Sequence, residues 1–227
     1  MLTTEALDAR QPEVAAFRLR EIVAGDAAGL NLITELHMEL LGFGPMAQFG
    51  DRVIRETVYA VALKHAALRV VIAEVNGRPA GFIAYTTKRQ VFHSELLRRN
   101  IFRTAGVMLV SLLEQPRRLA HLPRAFKVVF SRSEMPADLA QIKSEVVCFG
   151  VRPEYLTLAF VRETGLRVGL ELLEHAFAAL RQSGCGETIM IVDADNPRAL
   201  FFYKSLDAEM TACVFGGVPS YIVRFAL

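Results

Sequence analysis

The chain has 227 residues, of which 52% are hydrophobic, and its formal net charge at pH 7 is +2. This length suits one large domain with a substantial core, while no apolar run approaches the roughly 18 residues of a membrane-spanning helix. Three cysteines and five histidines show neither disulfide nor metal-ligand spacing, so we expect no metal site. The first residues have neither a basic nor an apolar leader region, from which we expect a cytoplasmic protein.

The first half of the chain predicts three strands and two helices. Residues 14–22 alternate between apolar and polar side chains, which is typical of a strand. Asp26 is expected to cap a helix that ends near Leu41, and Asp51 to cap a second helix. Two runs of strand-forming residues then flank Asn76-Gly77, a strong hairpin signal, and predict the second and third strands.

The segment 88–140 predicts helices and carries a basic charge. Residues 88–127 contain nine Lys or Arg and two Glu, and we expect a helix that ends at Pro116. A basic block of this kind can face nucleic acid, anionic lipid or an acidic substrate. Because it lacks interleaved aromatic residues and any nucleic-acid motif, we expect no nucleic-acid partner.

The second half alternates strands with helices. Residues 144–151 predict a buried strand, 152–164 a long turn, and 165–182 an amphipathic helix. A strand over 188–193 and a helix opened by Asn196-Pro197 follow, and two final strands are joined by a turn. Strands joined through a helix pair in parallel and hairpins pair antiparallel, so the order predicts a mixed sheet with helices on both faces.

This order and four local stretches resemble the GNAT superfamily of acyl-CoA-dependent N-acetyltransferases. The stretches are AEVNGRPAGFIAY, SEVVCFGVRPEY, TGLRVGLELLEHAF and DADNPRALFFYKSL. The resemblance implies an α/β (α+β) fold with a GNAT-like mixed, mostly antiparallel sheet and helices on both faces. It implies a single domain over 1–227, with a flexible N-terminus at 1–12 and a helical basic insertion at 88–140.

The resemblance also implies acetyl-CoA as cosubstrate. Its diphosphate would rest on the N–H groups at the start of a helix, and its pantetheine would pair with the fourth strand where that strand splays from the fifth. One signature glycine is an arginine in this chain, Arg167 in either alignment. The implied contacts are Phe149, Gly150, Val151, Arg162, Thr164, Gly165, Leu166, Arg167, Val168, Gly169, Asn196, Ala199 and Tyr203. Gly150 as a packing glycine and the arginines as solvated surface residues are the alternatives.

Two residues are implied to carry the chemistry. Tyr203 falls where many family members have a tyrosine that protonates the thiolate of the leaving coenzyme A. The alternative is a core tyrosine whose hydroxyl meets a backbone carbonyl. Glu145 falls where some members carry a glutamate base, and Glu134, Glu74 or water stay open as alternatives.

The implied reaction is direct acetyl transfer from the thioester to a primary amine of a small molecule, such as an amino sugar or nucleotide sugar. Arg98, Arg99 and Arg103 are candidate contacts to a phosphate of the acceptor. The same segment also fits a homodimer face through Val107–Leu113, peripheral contact with an anionic membrane, or a lid that buries its own apolar face. The alternative functions are a non-catalytic CoA-binding regulatory protein and a membrane- or partner-associated protein that uses this basic segment.

Overall fold

The computed structural model describes residues 15–44, 46–92, 101–123 and 135–227, and these contain one seven-stranded sheet. The strand order is β1-β2-β3-β4-β5-β7-β6, and every neighbouring pair is antiparallel except β4 and β5. The mixed, mostly antiparallel sheet expected from the sequence is therefore confirmed. The strands are β1 (Phe17–Ile22), β2 (Arg69–Val75), β3 (Arg78–Thr86), β4 (Glu145–Val151), β5 (Glu187–Asp193), β6 (Glu209–Phe215) and β7 (Val218–Ala226).

Seven helical segments whose full extent the structure describes accompany the sheet. The second, α2, is continuous but changes its winding: Asp51–Val53 is α-helical, Ile54–Tyr59 is π-helical and Ala60–Lys64 is α-helical again. The others are α1 (Ala27–Leu41), α3 (Ile101–Glu114), α4 (Ala137–Ala140), α5 (Leu158–Thr164), α6 (Val168–Gln182) and α7 (Pro197–Lys204). Short 3₁₀ turns occupy Ala47–Phe49, Pro116–His121 and Pro153–Leu156.

The helices cover the two faces of the sheet with two separate hydrophobic cores. On one face, α6 and α7 pack Leu172, Leu173 and Tyr203 onto β2, β3 and β4. On the other face, α1 and α2 pack Leu36 and Tyr59 onto the alternate residues of the same strands. Because side chains alternate along a strand, β4 presents consecutive residues to two different environments.

Local signals explain most of the element boundaries. Asp26 accepts a hydrogen bond of 2.8 Å from the N–H of Gly29 and so caps α1, as expected. Asn76 and Gly77 adopt φ values of 51° and 73°, which the two-residue hairpin turn between β2 and β3 requires. The prediction for Asp51 is wrong: Gly50 is the N-cap of α2, and Asp51 lies within its first turn.

The region between β4 and α6 differs most from the sequence-based expectation. Residues 152–164 are not a long turn, because Thr157 caps the helix α5 by accepting a hydrogen bond of 3.2 Å from the Phe160 N–H. Gly165 ends α5 in the left-handed conformation with φ 70°, so α6 starts at Val168 rather than at Gly165. The final hairpin turn is also shorter than expected, since β7 already begins at Val218.

Between β3 and β4, helix α3 lies within the stretch where the sequence predicts a helix that ends at Pro116. Val107, Met108 and Leu112 pack against Phe49 and Val53, while Phe102, Leu109 and Leu113 are exposed. The helix therefore attaches to the body of the domain through one apolar face and shows a second one to solvent. Among the described residues, no helix combines the length and apolar character needed to cross a membrane.

Candidate functional site

The fourth and fifth strands part almost as soon as they meet. Along β4 and β5, both described in full, the parallel pairing contains the single partner pair Glu145 and Ile189, whereas β3 and β4 pair over six positions. The contact is closed at its start by Ile189 N–H to Ser144 O at 3.4 Å and by the Ser144 hydroxyl, which donates to Glu187 O. Beyond this point, the edge of β4 that faces β5 is not paired with that strand.

A β-bulge in β4 accounts for the parting. Across from β3, Ala84 pairs with Cys148 and Tyr85 pairs with Val146, so Val147 is the extra residue. A bulge bends its strand and increases the local twist. Because β4 stays paired to β3 over its full length, the bend opens it away from β5.

A helix N-terminus faces the open end of this gap. The N–H groups of Val168 and Gly169, the first of α6, have no carbonyl acceptor within the helix. They point toward the N-terminal end of the helix, where its dipole is positive. The preceding loop is fixed locally: Thr164 Oγ1 donates to Phe160 O at 2.7 Å and accepts from the Leu166 N–H at 3.2 Å. The Thr164 hydroxyl is thus used for loop structure.

Two arginines stand beside that helix start. Arg167 is the N-cap residue of α6 and Arg162 lies in the last turn of α5, and both side chains are exposed. Neither forms an ion pair within the described residues. The loop therefore offers two uncommitted cations next to free backbone N–H groups, a combination suited to phosphate.

Aromatic side chains line the α6 and α7 side of the gap. The Phe149 ring from β4 stacks on Phe202 with a centroid distance of 6.4 Å and an interplanar angle of 22°. A Cβ on Gly169 would meet Phe149 at 3.4 Å, Val151 at 3.7 Å and Phe202 at 3.8 Å. The glycine thus lets α6 come close to β4. Gly150 points the other way, where a Cβ would lie 3.1 Å from Leu40 Cβ of α1.

Tyr203 is buried between these aromatic rings. Its side chain is 5% exposed and its ring lies 6.5 Å from Phe149 and 6.0 Å from Phe225. Burial raises the pKa of its hydroxyl well above the ordinary value of 10. No described residue hydrogen-bonds that hydroxyl, so the backbone-carbonyl partner of the alternative interpretation is not present.

The start of α7 holds Tyr203 in this position. Asn196 Oδ1 accepts a hydrogen bond of 3.2 Å from the Ala199 N–H, and Pro197 follows at the first helical position, where a missing N–H costs nothing. Ala199 and Phe202 pack against the core around Tyr203. Phe201, by contrast, is 75% exposed. The turn at Asn196 therefore sets which face of α7 meets the gap.

The opposite face of β4 carries a buried polar network that the sequence did not reveal. The Tyr59 hydroxyl and His37 Nδ1 share a hydrogen bond of 2.7 Å, and the same hydroxyl interacts with the Cys148 thiol. Burial lowers the pKa of His37 to about 4 and raises that of Cys148 to about 12. Imidazole and thiol are therefore both uncharged near neutral pH.

Glu145 lies at the closed end of the gap and is 5% exposed. Its Oε2 atom is 3.2 Å from Arg89 Nε in a buried ion pair. Arg89 also donates from Nη1 to Leu139 O at 3.3 Å, and its own N–H donates to Lys143 O at 2.8 Å. Arg89 therefore links Glu145 to both ends of the excursion between β3 and β4.

Of the predicted acceptor residues, Arg103 is described: it is exposed and lies 3.7 Å from Glu56 on α2. Arg98 and Arg99, like Glu134, fall outside the described residues. Glu74, the other alternative base, lies on β2 opposite Arg18 of β1, two strands away from β4. The structure thus brings the predicted strand, loop and helix residues to one gap, with Glu145 at its closed end.

Comparisons with solved structures place this geometry in a known fold. The PaiA N-acetyltransferase of Thermoplasma acidophilum, solved with coenzyme A, is 12% identical with a TM-score of 0.54, over 93% of this chain and 99% of that one. YncA of Salmonella typhimurium, solved with acetyl-CoA, is 15% identical with a TM-score of 0.50, over 93% and 94%. A Desulfovibrio desulfuricans protein described as a GNAT-family acetyltransferase is 14% identical with a TM-score of 0.51, over 93% and 99%.

The chain therefore has the GNAT acetyltransferase fold over nearly its whole length. At 11–15% identity the likeness is one of structure alone. No protein-family model matches the sequence, and no curated protein is significantly similar to it in sequence.

Proposed function

We propose that the protein is an acyltransferase that moves the acetyl group of acetyl-CoA directly to a primary amine of a small molecule. The observation that carries the proposal is the unpaired edge of β4 beside β5, flanked by Tyr203, a buried residue whose hydroxyl has no hydrogen-bond partner among the described residues. The proposal keeps the cytoplasmic location expected from the sequence. Proteins of similar fold that were solved with coenzyme A or acetyl-CoA support the choice of acetyl-CoA as cosubstrate.

The gap suits an extended thioester carrier. An amide-containing chain such as pantetheine can use the backbone groups of Phe149, Gly150 and Val151 as a further strand would. The N–H groups at the start of α6 then receive the diphosphate, with Arg162 and Arg167 supplying charge. Since the diphosphate lies at the open end, the thioester reaches toward the bulge at Val147.

The chemistry follows from where protons can be held. The amine nitrogen forms the new bond to the thioester carbonyl carbon as the carbon–sulfur bond breaks. Tyr203, kept protonated by its raised pKa, donates its proton to the departing sulfur. Glu145, held in place by Arg89, accepts the proton that the ammonium must lose. The amine reaches the carbonyl from the α1 and α2 side, opposite Tyr203.

Two measurements on the intact protein test this function. Calorimetric titration with acetyl-CoA is expected to show one saturable site, and release of free thiol is then followed over a panel of primary amines that includes amino sugars and nucleotide amino sugars. Glu145→Gln is expected to lower the rate of thiol release while acetyl-CoA still binds. Absence of acetyl-CoA binding would overturn the proposal as a whole.

A second candidate is a protein that binds CoA without catalysis. It is favoured by Arg167, which occupies a position where the family signature carries glycine and where the backbone approaches the diphosphate. The same experiment separates the two candidates. Saturable binding of acetyl-CoA with no thiol release for any amine identifies the non-catalytic protein, and amine-dependent release identifies the enzyme.

A further inference from the structure

A separate cavity lies on the far side of α1 from the gap between β4 and β5. It has a volume of about 340 Å³ and is bounded by α1, the turn Ala47–Phe49 and the 3₁₀ turn Pro116–His121. Leu40 of α1 faces β4, whereas Met38 lines this cavity. Two residues along a helix are separated by roughly 200°, so the helix itself divides the two sites.

Hydrogen-bond donors dominate the polar lining of the cavity. Arg117, Arg118 and His121 come from the 3₁₀ turn after α3, and Gln48 and Gln115 complete the polar wall. Within the described residues, no aspartate or glutamate lines it. The cavity is therefore basic, although the sequence signals for acceptor binding pointed to other arginines of the same segment.

Arg118 is held in a fixed orientation. Its Nη1 donates to Ser111 Oγ at 2.8 Å and to Ser111 O at 3.3 Å, and the Ser111 hydroxyl, which is fully buried, donates to Phe49 O. The guanidinium lies directly on Gly50, where a Cβ would stand 2.5 Å from Nη2. A serine below and a glycine beside it thus hold this arginine in place.

Among the described residues, the charge of Arg118 has no acidic partner. The side chain is half-buried, yet in the part of the chain that the structure describes neither Arg118 nor Arg117 forms an ion pair. Nearby cations are paired: Arg52 with Glu114 at 3.0 Å and Arg103 with Glu56 at 3.7 Å. Removing a guanidinium from water without an anionic partner is unfavourable, which suggests that the partner is a ligand.

We propose that this cavity is a binding site for the oxyanion group of a small molecule, a phosphate or a carboxylate, and that it is distinct from the acetyl-CoA site. The Arg118 guanidinium lines the cavity in the orientation that Ser111 fixes, and its planar, forked set of donors suits an oxyanion. Arg117 and His121 add donors from the same turn. The volume lies at the lower end of the range for small-molecule sites, about 300–1,000 Å³.

The test uses the full chain and two probes, inorganic pyrophosphate for phosphates and malonate for carboxylates. Each is titrated calorimetrically with and without saturating coenzyme A, so that binding at the start of α6 is blocked in one arm. We expect binding of at least one probe to persist with coenzyme A present and to weaken at least about tenfold in Arg118→Gln. Arg117→Gln should weaken it by about threefold, and Arg52→Gln, which removes a cation already paired with Glu114, should leave it unchanged.

Circular dichroism and thermal unfolding establish that each variant is folded. If Arg118→Gln does not fold, the double variant Arg117→Gln/His121→Asn, which leaves the Ser111 contact intact, decides by the same tenfold criterion. Equal affinity in wild type and variants, or complete loss of probe binding on addition of coenzyme A, overturns the proposal. The probe affinities of wild type and variants can be compared whether or not coenzyme A binds. A failure of the proposed function would appear instead as absence of acetyl-CoA binding, so the two failures are distinguishable.

Discussion

The two faces of β4 differ in whether the buried tyrosine packed on them has a hydrogen-bond partner for its hydroxyl. On the α6 and α7 face, Phe149 and Phe202 pack beside the Tyr203 ring, whose hydroxyl has no hydrogen-bond partner among the described residues. On the α1 and α2 face, the hydroxyl of Tyr59 is bonded to His37 and lies against Cys148. Both tyrosines are buried in the same fold, and burial raises the pKa of both.

The difference distinguishes a tyrosine hydroxyl that stabilises the fold from one that can act on a ligand. The Tyr59 hydroxyl has hydrogen-bond partners on α1 and β4, and this network holds α1 and α2 against β4. The Tyr203 hydroxyl has no such partner among the described residues and lies near the unpaired edge of β4, so it is available to a ligand.

The largest expected effect comes from removing that hydroxyl. Tyr203→Phe is expected to reduce kcat for amine-dependent thiol release about 10²–10⁴-fold, because the leaving sulfur loses its proton donor. The Kd for acetyl-CoA should stay within a factor of about two, because the ring packing is preserved. Stopped-flow or steady-state thiol detection with parallel calorimetry measures both quantities.

Tyr155→Phe is the matched control, since the Tyr155 ring packs edge-on against Phe160 and no catalytic role is proposed for its hydroxyl, so kcat should be unaltered. Unchanged turnover in Tyr203→Phe would rule out the acid role of Tyr203. The buried tyrosines on the two faces of β4 would then both be structural.

The buried ion pair at the closed end of the gap should respond through stability. Arg89→Met takes the guanidinium away from the buried carboxylate of Glu145, and breaking a buried pair in this way costs about 3–5 kcal/mol. Arg103→Met breaks a pair whose arginine side chain is 53% exposed, and should cost less than about 1 kcal/mol. Urea unfolding of both variants gives the two values. A similar loss in both would mean that Glu145 and Arg89 contribute no more than a surface pair.

Acid should weaken the packing on the α1 and α2 face of β4 through His37. Burial lowers the pKa of His37 from 6.5 to about 4, so between these pH values the unfolded chain binds a proton that the folded chain does not. The contribution to stability is present above pH 6.5 and is lost as the pH falls to about 4, a change of about 3 kcal/mol.

Denaturant unfolding across that pH range measures the loss. His37→Gln should flatten the stability profile, and the exposed His65→Gln should not. An unaltered profile in His37→Gln would contradict the proposed cause.

The sequence predicted what depends on neighbouring residues. Asp26 and Asn196 cap their helices as expected, and Asn76-Gly77 forms its turn, because each signal acts over three residues or fewer. The element order around the gap was also predictable. The helix α5 was not, because its 3₁₀ approach and short length gave too few apolar repeats for a helical pattern.

Contacts between residues far apart in the chain could not be predicted from the sequence. Arg89 meets Glu145 and Tyr59 meets His37 across 56 and 22 positions of the chain, and neither pair has a sequence spacing that marks it. The same holds for Arg118, whose orientation depends on Ser111 and Gly50. The residues expected from the family motif gather at the gap, whereas the polar network and the basic cavity emerged only from packing.

The smallest expected effects distinguish two glycines that meet β4 from opposite sides. Gly150→Ala places a methyl 3.1 Å from Leu40 Cβ and 3.2 Å from Cδ1, so α1 must shift, at a cost of about 1 kcal/mol. Gly169→Ala meets Phe149 at 3.4 Å, an ordinary contact, and replaces glycine near the start of a helix, so stability should hold or rise by up to about 1 kcal/mol. Under the proposed function, Gly169→Ala should still weaken acetyl-CoA binding, because its methyl narrows the approach to the N–H groups of α6, while Gly150→Ala should not. Chemical unfolding and calorimetry on the pair decide, and if Gly150→Ala proves to be the variant that loses acetyl-CoA affinity, the α1 face is the one that holds the thioester carrier.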